Sequence, residues 1–544
     1  MRERFRFSRR QALDRWHEER RRTVSCICAS ATTVILENGT IRTLDDSLPL
    51  ARALAIASER ISGGVGTHEL ALPTPDRIDL KGRCVVPGFV DAHVHFPSWA
   101  VAQGQLVLDG CRSLDEMLER VRAAALDLAP GQWLLGRGWR SPRLPSTRPI
   151  RALLDRAAPD RPVALTSKDG HSLWLNSPAL DRAGDLSSEG GIIETADDGA
   201  PSGVLREGPA WRFLETHVNL TASEVRAAMR EAFRTASARG VTGVHDKDGA
   251  EGALGHWQAL HAEARLPLRV WQSLPHSRLE LLSELEIAPG FGDGFLRVGY
   301  LKAFLDGALG SGTAHLLDGS GVALMEPAEL AQLVRQAASR GWPVAVHAIG
   351  DQANRDALDA LEATRDAWAP RGIRPRVEHA QLVSRDDLHR FAALGVACSV
   401  QFSHAPSDRD LVDEQWSDRL EGAYAYRSLW EADALLANGS DAPLEELDPL
   451  AGIRAAVLRT ADDRPGWRMH EALTVEHALV ASTRNPVWLE GAERTRGRLV
   501  PGALADLVVL SADPLAVEPH QLVDVEVVAT MVGGRWVHNP PPWD

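Results

Sequence analysis

Short apolar runs alternate with helical stretches through the middle of this chain, and that alternation limits its possible folds more than any other feature. The runs are Val90–His95, Pro162–Ser167, Val241–Asp246, Leu268–Leu274, Arg297–Phe304, Pro343–His347, Arg376–His379, Val396–Gln401 and Ala434–Ser440. Between them, Ser113-Leu114-Asp115-Glu116 and Thr221-Ala222-Ser223-Glu224 are capping boxes that open helices. Gly240 and Gly341 stand where helices end, just before new strands. This order builds a mainly parallel sheet of the α/β class. It supplies one strand more than a (β/α)8 barrel requires. The interval from Trp99 to Gly240 is too long for a single βα unit, so Pro162–Ser167 is assigned to an inserted subdomain.

The two ends read differently. Thr33-Val34-Ile35-Leu36 closes on Asn38-Gly39, and Ala55-Ile56-Ala57 is followed by Gly63-Gly64-Val65-Gly66. Near the other end stand Ala505–Leu510, Val525–Val532, Gly533-Gly534 and Trp536-Val537. Neither end carries enough core to fold alone. Residues 23–85 and 495–544 are therefore expected to form one composite β-sandwich. The barrel is expected over residues 86–494, interrupted by an insertion at 100–235. Residues 1–22 read as a charged extension, since Ser8-Arg9-Arg10 is not followed by the apolar segment of a twin-arginine signal.

Charge removes one class of function. The chain of 544 residues has 60 basic and 74 acidic side chains, a net of −14. No basic excess exists to neutralise a phosphate backbone, so no nucleic-acid partner is expected. No apolar run approaches the ~20 residues that span a bilayer. The cysteines, at 26, 28, 84, 111 and 398, contain no CxxC, which argues against a disulfide scaffold and a thiolate zinc site. A reducing, cytoplasmic setting is expected.

The chemistry concentrates at strand ends. Asp91-Ala92-His93-Val94-His95 places two imidazoles on one face of a strand. Val344–His347, Arg376–His379 and Asn438–Asp441 also end in ligand types. In a barrel such ends converge on one mouth. Nitrogen and oxygen ligands without thiolates suit zinc, with manganese, iron or nickel as alternatives. Lys302 sits inside the apolar run Val298–Phe304. A buried lysine must be paired or modified. From the residue alone, an ammonium reaching a carboxylate such as Asp306 is preferred over a carbamate bridging two metals.

Together these segments resemble the amidohydrolase superfamily, in its amidohydrolase-3, N-substituted formamide deformylase-like (YtcJ-like) branch, from about Thr33 to Val537. The carriers are Val86–His95, Lys302–Ser311, His347–Asp351, Glu378-His379-Ala380, Gly439–Pro443 and Gly502–Leu507. The resemblance implies a (β/α)8 barrel with a flanking sandwich and an inserted lid. It implies a metal site of His93, His95, Lys302, His347, His379 and Asp441 holding two divalent ions, zinc first, bridged by carboxylated Lys302. That reverses the preference drawn from the lysine alone.

The activity implied is hydrolysis of an amide, N-acyl or N-formyl C–N bond of a small molecule through a metal-bridging hydroxide. Asp441 moves the proton, and His171 either helps to hold the carbonyl oxygen or serves as a structural histidine. Trp139, His171, His404 and Asp306 are expected at the substrate, and a homodimer is expected. Tryptophans such as Trp99, Trp133 and Trp139 make an aromatic or apolar substrate the expectation. The chain departs from the branch at Gly312, where arginine is common, and at Gln401-Phe402-Ser403-His404. A one-metal deaminase would carry glutamate three residues after His347, where Gly350 stands. An ester or lactam hydrolase of the same superfamily is a further alternative. An inactive scaffold would have lost ligands that this chain keeps. Gly310-Ser311-Gly312 lacks the GxSxG elbow of a serine hydrolase.

Overall fold

The computed structural model describes residues 33–62, 76–111, 113–129, 131–139, 150–184, 186–218, 220–248 and 252–543. The charged stretch 1–22 and the glycine-rich run 63–66 lie outside the described residues.

One sheet of eight parallel strands forms the centre. Its strands are β1 (Phe89–Val94), β2 (Val241–Asp246), β3 (Arg269–Pro275), β4 (Leu296–Phe304), β5 (Val344–Ala348), β6 (Arg376–His379), β7 (Ala397–Val400) and β8 (Leu436–Asn438). Each pairs with the next in chain order. The sheet closes just beyond β8, where the Asp441 N–H donates to the His93 carbonyl at 2.7 Å and the His95 N–H donates to the Ala442 carbonyl at 2.9 Å. The result is a (β/α)8 barrel.

Strand parity explains both layers of its core. Val344 and Val346 on β5 pack outward with Leu330, Val334 and Leu361 of the surrounding helices. Ala345, between them, points inward with Ala92, Ala397 and Ala437 around Trp271 and Tyr300. The parity that turns Ala345 inward also turns His347 inward.

The ninth apolar run belongs to a separate sheet. Val163–Ser167 lies in a mixed six-stranded sheet ordered Gly191–Thr195, Pro201–Glu207, Ser172–Leu175, Val163–Ser167, Leu134–Trp139, Leu106–Val107. This sheet enters the chain after β1, and Leu134, Leu165, Trp139 and Trp174 fill its core. Its last strand ends at Glu207. Thr221 and Glu224 then form a reciprocal capping box at the start of helix Ala222–Ala238. Met229, Ala232 and Ala236 of that helix pack on Val241 and Val244 of β2. The helix is part of the barrel's outer layer, so the chain rejoins the barrel before residue 222 rather than at 235.

Two further sheets flank the barrel. One contains Arg60–Ile61, Leu54–Ala57, Thr33–Glu37 and Asp76–Asp79. The other interleaves both ends of the chain, in the order Arg535–His538, Val527–Val532, Leu507–Leu510, Cys84–Pro87, Thr40–Arg42, Leu50–Ala51. Val508 lies opposite Val86 in an antiparallel pair. Leu36, Ile56, Val85, Leu507, Val509 and Met531 share one core between the sheets. Among the described residues, no helix is long and apolar enough to cross a membrane.

Candidate active site

The mouth of the barrel gathers imidazoles around one carboxylate. His93 Nε2 and His95 Nε2 each lie 3.4 Å from Asp441 Oδ1. On the other oxygen, His379 Nδ1 is 3.8 Å and His404 Nε2 is 3.9 Å from Asp441 Oδ2. Asp441 thus belongs to two groups, His93–His95–Asp441 and His379–His404–Asp441, and within each the ligand atoms lie within 4.8 Å of one another. The His347 ring stands edge-on to His379, 4.4 Å between centroids, and its Nε2 donates to the Gly307 carbonyl at 3.0 Å. His93, Lys302, His347, His379 and Asp441 are each no more than 5 % exposed. Asp441 and His379 have φ of 57° and 76°. Left-handed backbone at non-glycine residues costs about 1–3 kcal/mol each and collects at functional sites.

Carboxylates and amides behind the imidazoles set their orientation. His93 Nδ1 donates to Glu378 Oε2 at 2.8 Å, and His95 Nδ1 donates to Asp248 Oδ1 at 2.7 Å. His379 Nδ1 donates to Gln401 Oε1 at 2.9 Å. At His93 and His95 these contacts choose the tautomer and leave Nε2 for the site. Burial pushes His93 down to about 3, whereas Asp248 and Asp441 overcome burial at His95 and lift it to about 10. Burial works against ionisation of Asp441, yet His93, His95 and His379 hold it well below the usual carboxylate range.

Glu378 begins a buried polar chain. Its Oε1 lies 2.8 Å from both Lys247 Nζ and Arg376 Nε, and all three side chains are fully buried. Burial alone would raise Glu378, but these two cations hold it well below its ordinary value. Arg376 Nη1 donates to His245 Nδ1 at 2.9 Å, and His245 Nε2 donates to Glu490 Oε1 at 3.0 Å. Glu490 in turn pairs with Arg496. Arg376 opens β6 and His379 ends it, so the chain of contacts runs along the barrel from the mouth.

Lys302 is buried on β4, and its Nζ makes no hydrogen bond. Burial lowers its ammonium to about 8 against the pull of Glu378 and Asp441. The pairing with Asp306 considered from sequence is not formed. Asp306 is fully buried, and its carboxylate accepts the N–H groups of Ile349 (3.0 Å), Gly350 (2.8 Å) and His315 (3.0 Å). These bonds pin loops, and Asp306 does not line the pocket at the mouth, so the structure gives it a structural part in place of the expected substrate contact.

The insertion covers the mouth. Trp139, Lys168, His171 and Arg206 face Leu309, Ile349 and Leu444 across one pocket that also reaches His379, His404 and Asp441. His171 Nδ1 donates to Glu207 Oε2 at 2.7 Å. Trp139 is 2 % exposed, donates Nε1–H to the Leu165 carbonyl at 2.8 Å and meets Trp174 edge-on. It therefore both fills the insertion's core and touches the pocket. Trp99 packs in the barrel's outer layer and Trp133 against Phe213, so neither joins Trp139 there. Gly310 allows the insertion's close approach, because a Cβ at that position would fall 2.5 Å from Asp169 Oδ2.

Sequence reasoning passed over Asp248, Lys247, Arg376, Glu207 and the role of Glu378. Glu378 carried a usable signal, since a carboxylate inside an apolar strand must be paired. Strict alternation would point it away from His379. The positive φ of His379 breaks that alternation, and both side chains reach the same interior.

Known proteins resemble this chain. The model of the amidohydrolase family matches residues 76–538. The chain is 32% identical over 540 residues to Protein LONG AFTER FAR-RED 3 of Arabidopsis thaliana, covering 93% of this chain and 91% of that one. It is 31% identical over 503 residues to the putative amidohydrolase YtcJ of Bacillus subtilis (strain 168), covering 88% and 94%. It is 27% identical over 537 residues to N-substituted formamide deformylase of Arthrobacter pascens, covering 92% and 97%. A crystal structure of an uncharacterized metal-dependent hydrolase from Pyrococcus horikoshii OT3 superposes with a TM-score of 0.75 at 28% identity, over 90% of this chain and 99% of that one. With its barrel, its covering insertion and its histidine-ringed Asp441, the chain belongs to the amidohydrolase family, in the YtcJ-like branch.

Proposed function

We propose that the chain is a metal-dependent hydrolase that cleaves the C–N bond of a small N-acyl or N-formyl amide. The observation that carries this reading is Asp441 standing between two imidazole groups, beside the buried amine of Lys302, which makes no hydrogen bond. The donor set fits divalent ions, zinc first. His93, His95 and Asp441 would hold one ion, and His379 with His347 and His404 beside it would hold a second, with Lys302 close by to supply a carboxylate as its N-carboxy derivative. Bound there, divalent ions supply Lewis acidity toward a carbonyl and lower the pKa of water toward neutrality.

The residues of the chain do the rest. Asp441 accepts the proton released when water adds to the carbonyl carbon. It passes that proton to the nitrogen as the C–N bond breaks, leaving a carboxylic acid and an amine. As an imidazolium, with Nδ1–H on Glu207, His171 donates Nε2–H to the carbonyl oxygen and stabilises the charge that builds on it. Trp139, Leu309, Ile349 and Leu444 exclude bulk water from the pocket. The relative named as an N-substituted formamide deformylase supports an N-formyl amide among the candidate substrates.

Elemental analysis combined with a probe screen tests this reading. N-formyl, N-acetyl, lactam and ester probes are assayed before and after exhaustive chelation. The expected result is about two divalent ions per chain and amide hydrolysis that chelation abolishes. Hydrolysis indifferent to chelation, or confined to esters, overturns it.

A further inference from the structure

His171 is held by a network that spans the insertion and the barrel. Glu207 Oε2 accepts from His171 Nδ1 at 2.7 Å, while Glu207 Oε1 accepts from the Thr313 hydroxyl at 2.9 Å. Thr313 stands in the loop after β4, and its Oγ1 also accepts the Ala308 N–H at 2.9 Å, which leaves its own hydrogen for Glu207. The Glu207 N–H donates back to the His171 carbonyl at 2.8 Å. Glu207 is 5 % exposed and has φ 56° and ψ −131°, backbone that glycine adopts freely and other residues resist. Gly307 is packed just as closely: a Cβ there would lie 2.0 Å from Thr313 Oγ1 and 3.2 Å from Glu207 Oε1.

A strained, buried carboxylate with both oxygens committed is a device for holding something still. With Nδ1 tied to Glu207, the ring nitrogen left for the pocket is Nε2. The His171 ring lies 6.3 Å from that of His347, over the site. Burial opposes a charge on His171, and the Glu207 hydrogen bond and charge outweigh it, holding the imidazole above its ordinary value.

We propose that Glu207 is a positioning residue: it locks the His171 ring so that Nε2 is turned to the reacting carbonyl oxygen, and through Thr313 it ties that lock to the seating of the insertion on the barrel. This rests on the hydrolase reading above. No bond is made or broken by Glu207 itself; its carboxylate stays ionised while His171 donates a hydrogen bond.

The test uses the full metal-loaded chain. Glu207→Ala, Glu207→Gln and Thr313→Val are made alone, and Glu207→Ala also in a His171→Ala background. Each is assayed on N-formyl and N-acetyl benzylamine, with melting temperature and metal content as controls. Glu207→Ala should lower kcat roughly 100-fold, the scale of one lost oxyanion donor, with KM moving far less. Glu207→Gln, which still offers an acceptor to Nδ1, should recover part of the loss, and it carries the test if Glu207→Ala fails to fold. In the His171→Ala background, Glu207→Ala should cost nothing more, because the two residues act as one unit. Long-range 1H–15N spectra of histidine-labelled protein should show a single held state of His171 in wild type, released in Glu207→Ala and loosened in Thr313→Val. An equal kcat loss with and without His171, or unchanged His171 resonances in Glu207→Ala, overturns the proposal. Unchanged resonances in Thr313→Val overturn its coupling to seating. If wild type hydrolyses neither probe, the amide reading is what fails, and the spectra still decide the positioning role.

Discussion

Arg269 and Asp506 fasten the barrel to the terminal sandwich by a buried two-pronged ion pair. Arg269 opens β3, and its Nε and Nη2 donate to the two Asp506 oxygens at 2.7 and 2.9 Å. The Gly533 N–H adds a third bond to Asp506 at 2.7 Å. Breaking one side of a buried pair strands the other charge, at a cost of about 3–5 kcal/mol. Asp506→Ala should lose stability on that scale in urea melts.

The same pair sets a response to acid. Burial alone would raise the Asp506 carboxyl, but Arg269 holds it below its ordinary range. A carboxyl depressed in the folded state contributes its full stability above its unfolded value of ~3.9 and loses it as pH falls through the folded value. Below about pH 4, wild type should therefore destabilise more steeply than Asp506→Asn. Parallel acid limbs for the two proteins would contradict this.

Lys302→Ala should lose both metal content and activity, and short carboxylic acids added to the variant should restore part of each. A metal-loaded crystal at high resolution should show carboxylate density on Nζ; a plain lysine there would refute the bridging role.

Glu378→Gln keeps the shape of the side chain and removes its charge. His93 then loses its carboxylate partner, and Lys247 and Arg376 lose their shared counter-charge. Chelator competition should show metal affinity down by about 10- to 100-fold. An unchanged affinity would mean that His93 needs no orienting partner.

Trp139 and His171 face one pocket but should fail in different ways. Trp139→Ala empties part of the insertion's core and should cost about 3–5 kcal/mol. His171→Ala should melt near wild type and bind metal normally while kcat/KM collapses. Matching thermal losses in both variants would place His171 among structural residues.

Much of this architecture was legible from pattern. Barrel strands announce themselves as apolar runs because helices cover one face and the interior the other, and the ligand types stood at their ends. What pattern could not reveal was partnership across long separations. Asp248 meets His95 and Glu207 meets His171 only after folding, and no periodicity links them. Asp306 misled for a related reason: its neighbours in sequence suggested the mouth, whereas backbone N–H groups of its own loop and of the loop after β5 claim it. The insertion was bounded at 235, inside helix Ala222–Ala238, because the capping box that opens this helix says nothing of what its apolar face will cover.

The polar chain from His93 through Glu378, Arg376 and His245 to Glu490 occupies space that side chains of a barrel usually fill with hydrocarbon. From His93 to His245 its members are buried, so mobile counter-ions cannot gather around them. The potential felt at His93 is thus set by the folded positions of these charges rather than by the medium. It is an internal reference voltage that dissolved salt leaves in place and that a single substitution anywhere along the barrel axis would reset.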